Sequence, residues 1–224
     1  MQEYITAEEV LHNELPLSVR SGFVPIVSRA YELTNQLIGQ HDFLQWSVGY
    51  DIVPIIRRVI IEHQFKKMID KGMLPLTYEI KSNRIDNCNH IEIRTLGNGI
   101  LTISQVRHYK KLPRKAFFRE NLSYNNLRFI QIPIFEDEQK IEEPKPTVQE
   151  HYILLTHGYS GDKPSFVFLG MPKPKANGWL TRINLLDEPA KIITPIEEIV
   201  TEELLVEIKE ELFTQGVTNN GEAK

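Results

Sequence analysis

The spacing of hydrophobic residues changes once along the chain, near residue 76, from a helical period to a strand period. Before that point, apolar residues recur every three or four positions, which predicts helices over 21–38 and 52–71. The pattern T-A-E-E at 6–9 predicts a capped helix before them, and Gly72 is expected to end the last of the three. After residue 76, the segments LTYEIKS, HIEIRT and GILTISQV alternate or are rich in β-branched residues, which predicts strands.

The second half of the chain continues the strand pattern and ends in a helical one. The turn LGNG is expected to join the second and third strands, with Gly97 and Gly99 supplying positive φ. Further strands are predicted at FIQIPIF, HYILLTHG, SFVFLG and GWLTRINLL. A helix over 195–213, capped by Thr194, has an apolar face and a glutamate-rich face.

These predictions place the chain in the α+β class, with N-terminal helices, a central mainly antiparallel sheet and a C-terminal amphipathic helix. The expected divisions are a helical part at 1–75, a β-rich part at 76–195, a closing helix at 196–213 and a disordered tail at 214–224. At 224 residues, we expect the ordered parts to form one compact domain.

Composition and charge narrow the cellular setting and the kind of partner. The net charge is −4, so attraction to a polyanion must come from a local patch. The single cysteine, Cys88, cannot form an intrachain disulfide, which indicates a reducing compartment. The N-terminus lacks a signal-peptide pattern, and Pro54, Arg57 and Arg58 interrupt the most apolar helical window. We therefore expect a cytoplasmic protein that does not contact membranes.

A local basic patch does occur, in RHYKKLPRKAFFR at 107–119, which contains six cations and no acid. Cations neutralise phosphates and aromatic rings stack on unpaired bases, so this stretch predicts binding of nucleic acid or of an acidic protein surface through 107–126. Asn121, Asn125 and Asn126 are expected to add amide donors suited to base edges or phosphates. The predicted binding residues are Arg107, Tyr109, Lys110, Lys111, Arg114, Lys115, Arg119 and Tyr124.

Two other interpretations of the basic stretch stay open. Phe117, Phe118 and Leu122 are also compatible with core positions, and the cations with a solvated surface. Alternatively, the acidic segment 136–150 covers the basic stretch in the free protein by imitating a polyanion.

A metal-dependent nuclease is the alternative function. Its E-x-K pattern is present as Glu79 and Lys81, with the further candidates Asp86 and Glu92, and would require Mg or Mn. The restriction-endonuclease-like arrangement expects an acid on an upstream strand, which this chain lacks, and Arg94 cannot act as a base. An ordinary hairpin with Ile80, Ile91 and Ile93 facing inward explains the same residues.

The remaining motifs favour binding over catalysis. The seven histidines and Cys88 show no spacing typical of a metal site, and no nucleotide-binding glycine motif occurs, so neither metal nor cofactor is predicted. A third function is homo-oligomeric assembly through the first helices or the acidic closing helix.

The segments KKLPRKAFFRENLSYNNLRF and HYILLTHGYSGDKPSFVFLGMP resemble uncharacterised bacterial and prophage proteins. Some of those proteins lie near toxin–antitoxin or phage-defence genes. The resemblance covers roughly the second half of the chain. It implies a bacterial mobile-element setting and no catalytic residues.

Overall fold

The computed structural model describes residues 6–130, 150–158 and 161–191. The helices in these ranges are α1 (Ala7–Glu14), α2 (Leu17–Arg20), α3 (Phe23–Gln40), α4 (Asp42–Gln45), α5 (Val53–Asp70) and α6 (Phe117–Ser123). The strands are β1 (Thr77–Ser82), β2 (Asn89–Arg94), β3 (Gly99–Gln105), β4 (His151–His157), β5 (Val167–Pro172) and β6 (Trp179–Asn184). Short 3-10 turns follow α6 at Tyr124–Phe129 and β5 at Pro174–Ala176.

The strands form one six-stranded sheet in the order β1-β2-β3-β4-β5-β6. Neighbouring strands are antiparallel except for the parallel pair of β3 and β4. The α+β class, the N-terminal helices and the mainly antiparallel sheet are therefore confirmed. The predicted closing helix, the tail, the acidic segment and most of the FIQIPIF strand lie outside the described residues. In the ranges described, no helix is both long enough and apolar enough to cross a membrane.

The helices pack over one face of the sheet. α1 begins with the predicted capping box, in which Thr6 Oγ1 accepts from the Glu9 amide and the Glu9 carboxylate accepts from the Thr6 amide. α3 and α5 meet through Phe23 and Phe65, whose ring centroids are 5.2 Å apart at a near-perpendicular angle. Gly72, at φ 69°, follows the end of α5 as expected. The strand residues in the same core are Ile91, Ile93, Leu101, Ile103, Ile153, Leu155, Val167, Leu169 and Met171.

The opposite face of the sheet is covered by the segment that contains α6 and the turn Tyr124–Phe129. Asn126 fixes this segment, because its Nδ2 donates to the carbonyls of Tyr152 and Pro172, and its Oδ1 accepts from the Tyr152 amide. All three distances are 2.9 Å, and the side chain is fully buried. The expectation that Asn126 offers its amide to bases or phosphates is therefore wrong.

The turn between β2 and β3 is present, but its predicted glycine conformation is wrong. Among the described residues, positive φ is confined to glycines 72 and 161 and to three non-glycine residues, so neither Gly97 nor Gly99 has it. The buried Glu14 carboxylate instead accepts hydrogen bonds of 3.0 Å from the amides of Gly97, Asn98 and Gly99. A Cβ atom on Gly97 would lie 2.6 Å from Glu14 Oε1, so the turn requires glycine because the carboxylate approaches closely.

β2 and β3 diverge after leaving this turn. Within the described ranges, their pairing is limited to Ile93 with Leu101 and Arg94 with Ile100. By contrast, β1 stays paired with β2 as far as Ser82 and Asn89, and β4 follows β3 along its whole length. The first half of β2 and the second half of β3 therefore leave an opening in the sheet.

A buried histidine at the end of β4 makes the stability of the protein depend on pH. His157 is 1% exposed, and its Nδ1 lies 2.9 Å from Tyr31 Oη. Burial lowers the pKa of His157 from 6.5 to about 4. The hydrogen bond to the Gly158 carbonyl raises it by less than burial lowers it, and the charge of Arg57 has a smaller lowering effect. The folded protein therefore resists protonation of this ring at a pH where the unfolded chain accepts the proton.

We expect the contribution of neutral His157 to the free energy of unfolding to be complete above pH 6.5 and to disappear as the pH falls towards 4. Its full size is about 3 kcal/mol, from about 1.4 kcal/mol for each unit of pKa difference. Urea denaturation from pH 7 to pH 4 measures it, with His157→Gln as the reference. If the free energy of unfolding changes with pH equally in the two proteins, the pH dependence does not come from His157.

Candidate anion-binding cleft

A cleft of about 1030 Å³ opens where β2 and β3 diverge. Its walls come from the first half of α5, the loop between β1 and β2, the diverging strands, and the segment from Arg107 to Arg119. Because residues of both sheet faces line it, among them Ile103 and Ser104, the cleft enters the gap in the sheet. These four parts of the chain therefore meet at one concave surface.

The lining of this cleft is strongly positive although the whole chain is acidic. Among the lining residues that the structure describes, the carboxylates are those of Asp51 and Glu62. The six cations that line it are Arg58, Arg84, Arg107, Lys111, Arg114 and Arg119. Such an excess of positive charge in a concave site concentrates the electrostatic field and favours an anionic ligand.

Four of the predicted binding residues line the cleft, namely Arg107, Lys111, Arg114 and Arg119. The other two cations of the stretch do not line it. The ammonium group of Lys110 lies 5.6 Å from the centre of the Tyr109 ring. Lys115 lines a small adjoining hollow beside Glu120. The basic stretch thus projects mainly, but not wholly, into one site.

The two predicted tyrosines lie elsewhere. The Tyr109 ring stacks on Phe168 at a centroid distance of 5.9 Å, and the guanidinium of Arg182 lies over it. Tyr124 is half-buried at the start of its 3-10 turn. Tyr109 therefore supports the end of the basic stretch against the sheet, and neither tyrosine is part of the cleft lining.

The guanidinium groups of Arg58 and Arg119, which are distant in the sequence, repel each other in the cleft. Arg58 donates from Nη1 to Cys88 Sγ at 3.3 Å and to the carbonyl of Asn89 at 3.2 Å. Burial lowers the pKa of the Arg119 guanidinium, and the charge of Arg58 lowers it further. An anion placed between the two guanidinium groups would relieve this repulsion.

Aromatic rings lie beside these charges. Phe118 stacks on His90, with centroids 3.9 Å apart, and the Arg119 guanidinium lies 4.8 Å from the centre of the Phe118 ring. Phe117, at the start of α6, is 56% exposed and has Arg84 at 5.1 Å over its ring. The interpretation of Phe117 as a core residue is therefore wrong, and its ring is available at the cleft.

The Glu62 carboxyl group in the cleft is a weaker acid than an ordinary glutamate side chain. Burial raises the pKa of Glu62 to about 7. The charges of Arg58 and His90 and a hydrogen bond from the Ile91 amide lower it, but by less than burial raises it. A carboxyl group with a pKa near neutrality can both accept and release a proton under cellular conditions.

Sequence reasoning missed Arg58, Glu62, Arg84 and His90 as members of this site. Arg58 and Glu62 are one helical turn apart on α5, within a window whose apolar residues indicate only a buried helix. No motif connects that window to residues 107–119, because the cleft depends on the divergence of β2 from β3. The helical spacing of Arg58 and Glu62 was the one signal available.

The nuclease candidates form a paired polar surface on β1 and β2. Glu79 lies directly opposite Glu92, and Glu79 makes ion pairs with Lys81 at 2.5 Å and Arg94 at 3.5 Å. Asp86 lies in the loop beyond β1, at φ 50°. In the part of the chain that the structure describes, no group of three or more metal-ligating side chains was found.

One detail of the hairpin interpretation is also wrong. Ile91 and Ile93 face the core as expected, but Ile80 is 59% exposed. β1 is an edge strand, so Ile80 lies where the helices do not reach over the sheet.

No family model, curated protein or solved structure matches this chain. The function must therefore be inferred from the chemistry of the cleft.

Proposed function

We propose that this protein binds single-stranded nucleic acid in the cleft between β2 and β3. The observation that carries the proposal is the convergence of six cations from three segments on one concave surface, against two carboxylates among the described lining residues. Phosphate groups would contact the arginine and lysine side chains, which release counterions on binding. The mobile-element setting implied by the resemblance is compatible with such a ligand.

Two features support a nucleic acid strand over an acidic protein surface. Phe117 presents an exposed ring at the cleft, where an unpaired base can stack on it, and Arg84 adds a cation–π contact. The cleft is also a concave opening between strands, which suits a narrow strand better than the broad surface of a folded partner. Single strands satisfy both requirements, since duplex bases are already stacked.

Removing two cleft cations tests the proposal. In the double variant Lys111→Ala with Arg114→Ala, we expect the affinity for a fluorescent single-stranded oligonucleotide to fall roughly tenfold or more at low salt. The slope of log affinity against log salt should become shallower by about 1.4, at about 0.7 for each lost phosphate contact. Fluorescence anisotropy over a series of salt concentrations measures both quantities.

A charge-matched control separates the cleft from the overall field of the protein. Lys110→Ala with Lys163→Ala also removes two exposed cations, but neither residue lines the cleft. We expect this variant to keep most of the affinity. Equal losses in the two double variants would contradict a specific cleft, and no measurable binding by the unmodified protein would refute the proposed function.

A further inference from the structure

The cleft contains a carboxylate and an imidazole beside paired arginines, which together can do more than bind. Glu62 and His90 both line it and lie close enough for their charges to interact. Arg58 belongs to the same lining as Glu62, and Arg119 is within electrostatic reach of Arg58. These are the groups that transfer protons to and from a phosphodiester and stabilise the extra charge on its oxygens.

We propose that the cleft cleaves single-stranded RNA by transesterification, with Glu62 as the general base and His90 as the general acid. This inference rests on the proposed function, because the strand must first bind in the cleft. It deepens that function by naming RNA as the substrate class.

The reaction requires no co-reactant, since the ribose 2′-hydroxyl supplies the nucleophile. The Glu62 carboxylate takes the 2′-hydroxyl proton while the O2′–P bond forms. The P–O5′ bond breaks, and protonated His90 gives a proton to the departing O5′. The products are a 2′,3′-cyclic phosphate end and a 5′-hydroxyl end, while Arg58 and Arg119 stabilise the charge on the non-bridging oxygens.

The surroundings of both groups suit these roles. Glu62 and Ile91 both line the opening between β2 and β3, where the Ile91 amide favours the ionised form of the Glu62 carboxylate. His90 is held between the Phe118 ring and Glu92, whose Oε1 lies 3.4 Å from His90 Nε2. The pKa of Glu62, raised by burial to about 7, leaves a substantial fraction ionised at neutral pH and makes it a stronger base than an ordinary carboxylate.

The test uses the full chain with an RNA oligonucleotide and the DNA oligonucleotide of the same sequence, in buffer containing EDTA. We expect the RNA to be cut to products with 2′,3′-cyclic phosphate ends, identified by mass spectrometry, and the DNA to stay intact. Glu62→Gln and His90→Gln should each reduce the cleavage rate by about 100-fold or more. Both variants should still bind the DNA oligonucleotide, which shows that they are folded.

The controls distinguish this inference from the proposed function. Glu120→Gln changes a half-buried glutamate of α6 that does not line the cleft, so its cleavage rate should stay unchanged. If the unmodified protein binds RNA but produces no cyclic phosphate ends, the inference is overturned and the binding function stands. Unchanged cleavage in Glu62→Gln or His90→Gln would overturn the assigned roles, and a failure to bind any oligonucleotide would overturn both proposals.

Discussion

Replacing Glu14 with alanine is expected to lower the free energy of unfolding by roughly 3–5 kcal/mol. The Glu14 carboxylate accepts hydrogen bonds from the amides of Gly97, Asn98 and Gly99 and from the hydroxyl of Thr95. It also lies 3.5 Å from His151 Nε2. The alanine variant leaves the buried hydroxyl of Thr95 and the buried amide of Gly99 without their acceptor, which explains the large cost. Urea denaturation at neutral pH measures the change.

Glu9 provides a matched control on the same helix. It is an exposed glutamate whose carboxylate completes the capping box with Thr6, and Glu9→Ala should lower the free energy of unfolding far less than Glu14→Ala does. Glu14→Gln keeps one oxygen acceptor and should fall between the two alanine variants. Similar losses for Glu9→Ala and Glu14→Ala would show that the carboxylate does not organise the turn between β2 and β3.

Asn126→Ala is expected to reduce both stability and oligonucleotide binding. Its three buried hydrogen bonds join the segment that contains α6 and the turn Tyr124–Phe129 to β4 and β5, so their loss should cost about 3 kcal/mol. Because the same segment carries Arg119 and the wall of the cleft, we expect weaker oligonucleotide binding even at temperatures where the variant remains folded. Urea denaturation and fluorescence anisotropy on the same sample measure the two effects.

The neighbouring asparagine allows a direct comparison. Asn125 is only partly buried, and Asn125→Ala should change the free energy of unfolding by about 0.5 kcal/mol or less. Binding by Asn126→Ala at the level of the unmodified protein would contradict the view that this side chain positions the cleft wall.

The helices and strands could be predicted because each has a hydrophobic period that reflects one buried face. α3 and α5 lie within two residues of their predicted limits, and the capping box at Thr6 was recognisable from spacing alone. Local signals of this kind depend on residues a few positions apart, which the sequence shows directly.

The same local signals could not distinguish a side chain that is exposed at the cleft or surface from one that is buried and stabilises the fold. Asn125 and Asn126 are adjacent and chemically identical, yet the first is partly exposed and the second is fully buried against β4. Lys110 and Lys111 are likewise adjacent and identical, yet Lys111 lines the cleft and Lys110 does not. These outcomes depend on packing between distant segments, and so does the meeting of Arg58 with Arg119.

The single parallel pair in the sheet affects the order in which this chain can fold. β1, β2 and β3 follow one another as antiparallel neighbours, and so do β4, β5 and β6. Each set needs only short connections, whereas joining β3 to β4 closes a loop that contains the entire basic stretch. Since long loops carry a larger entropic cost, we expect the two halves to form first and to join late. The cleft, whose lining includes β3 and the loop after it, would then be complete only after this last step of assembly.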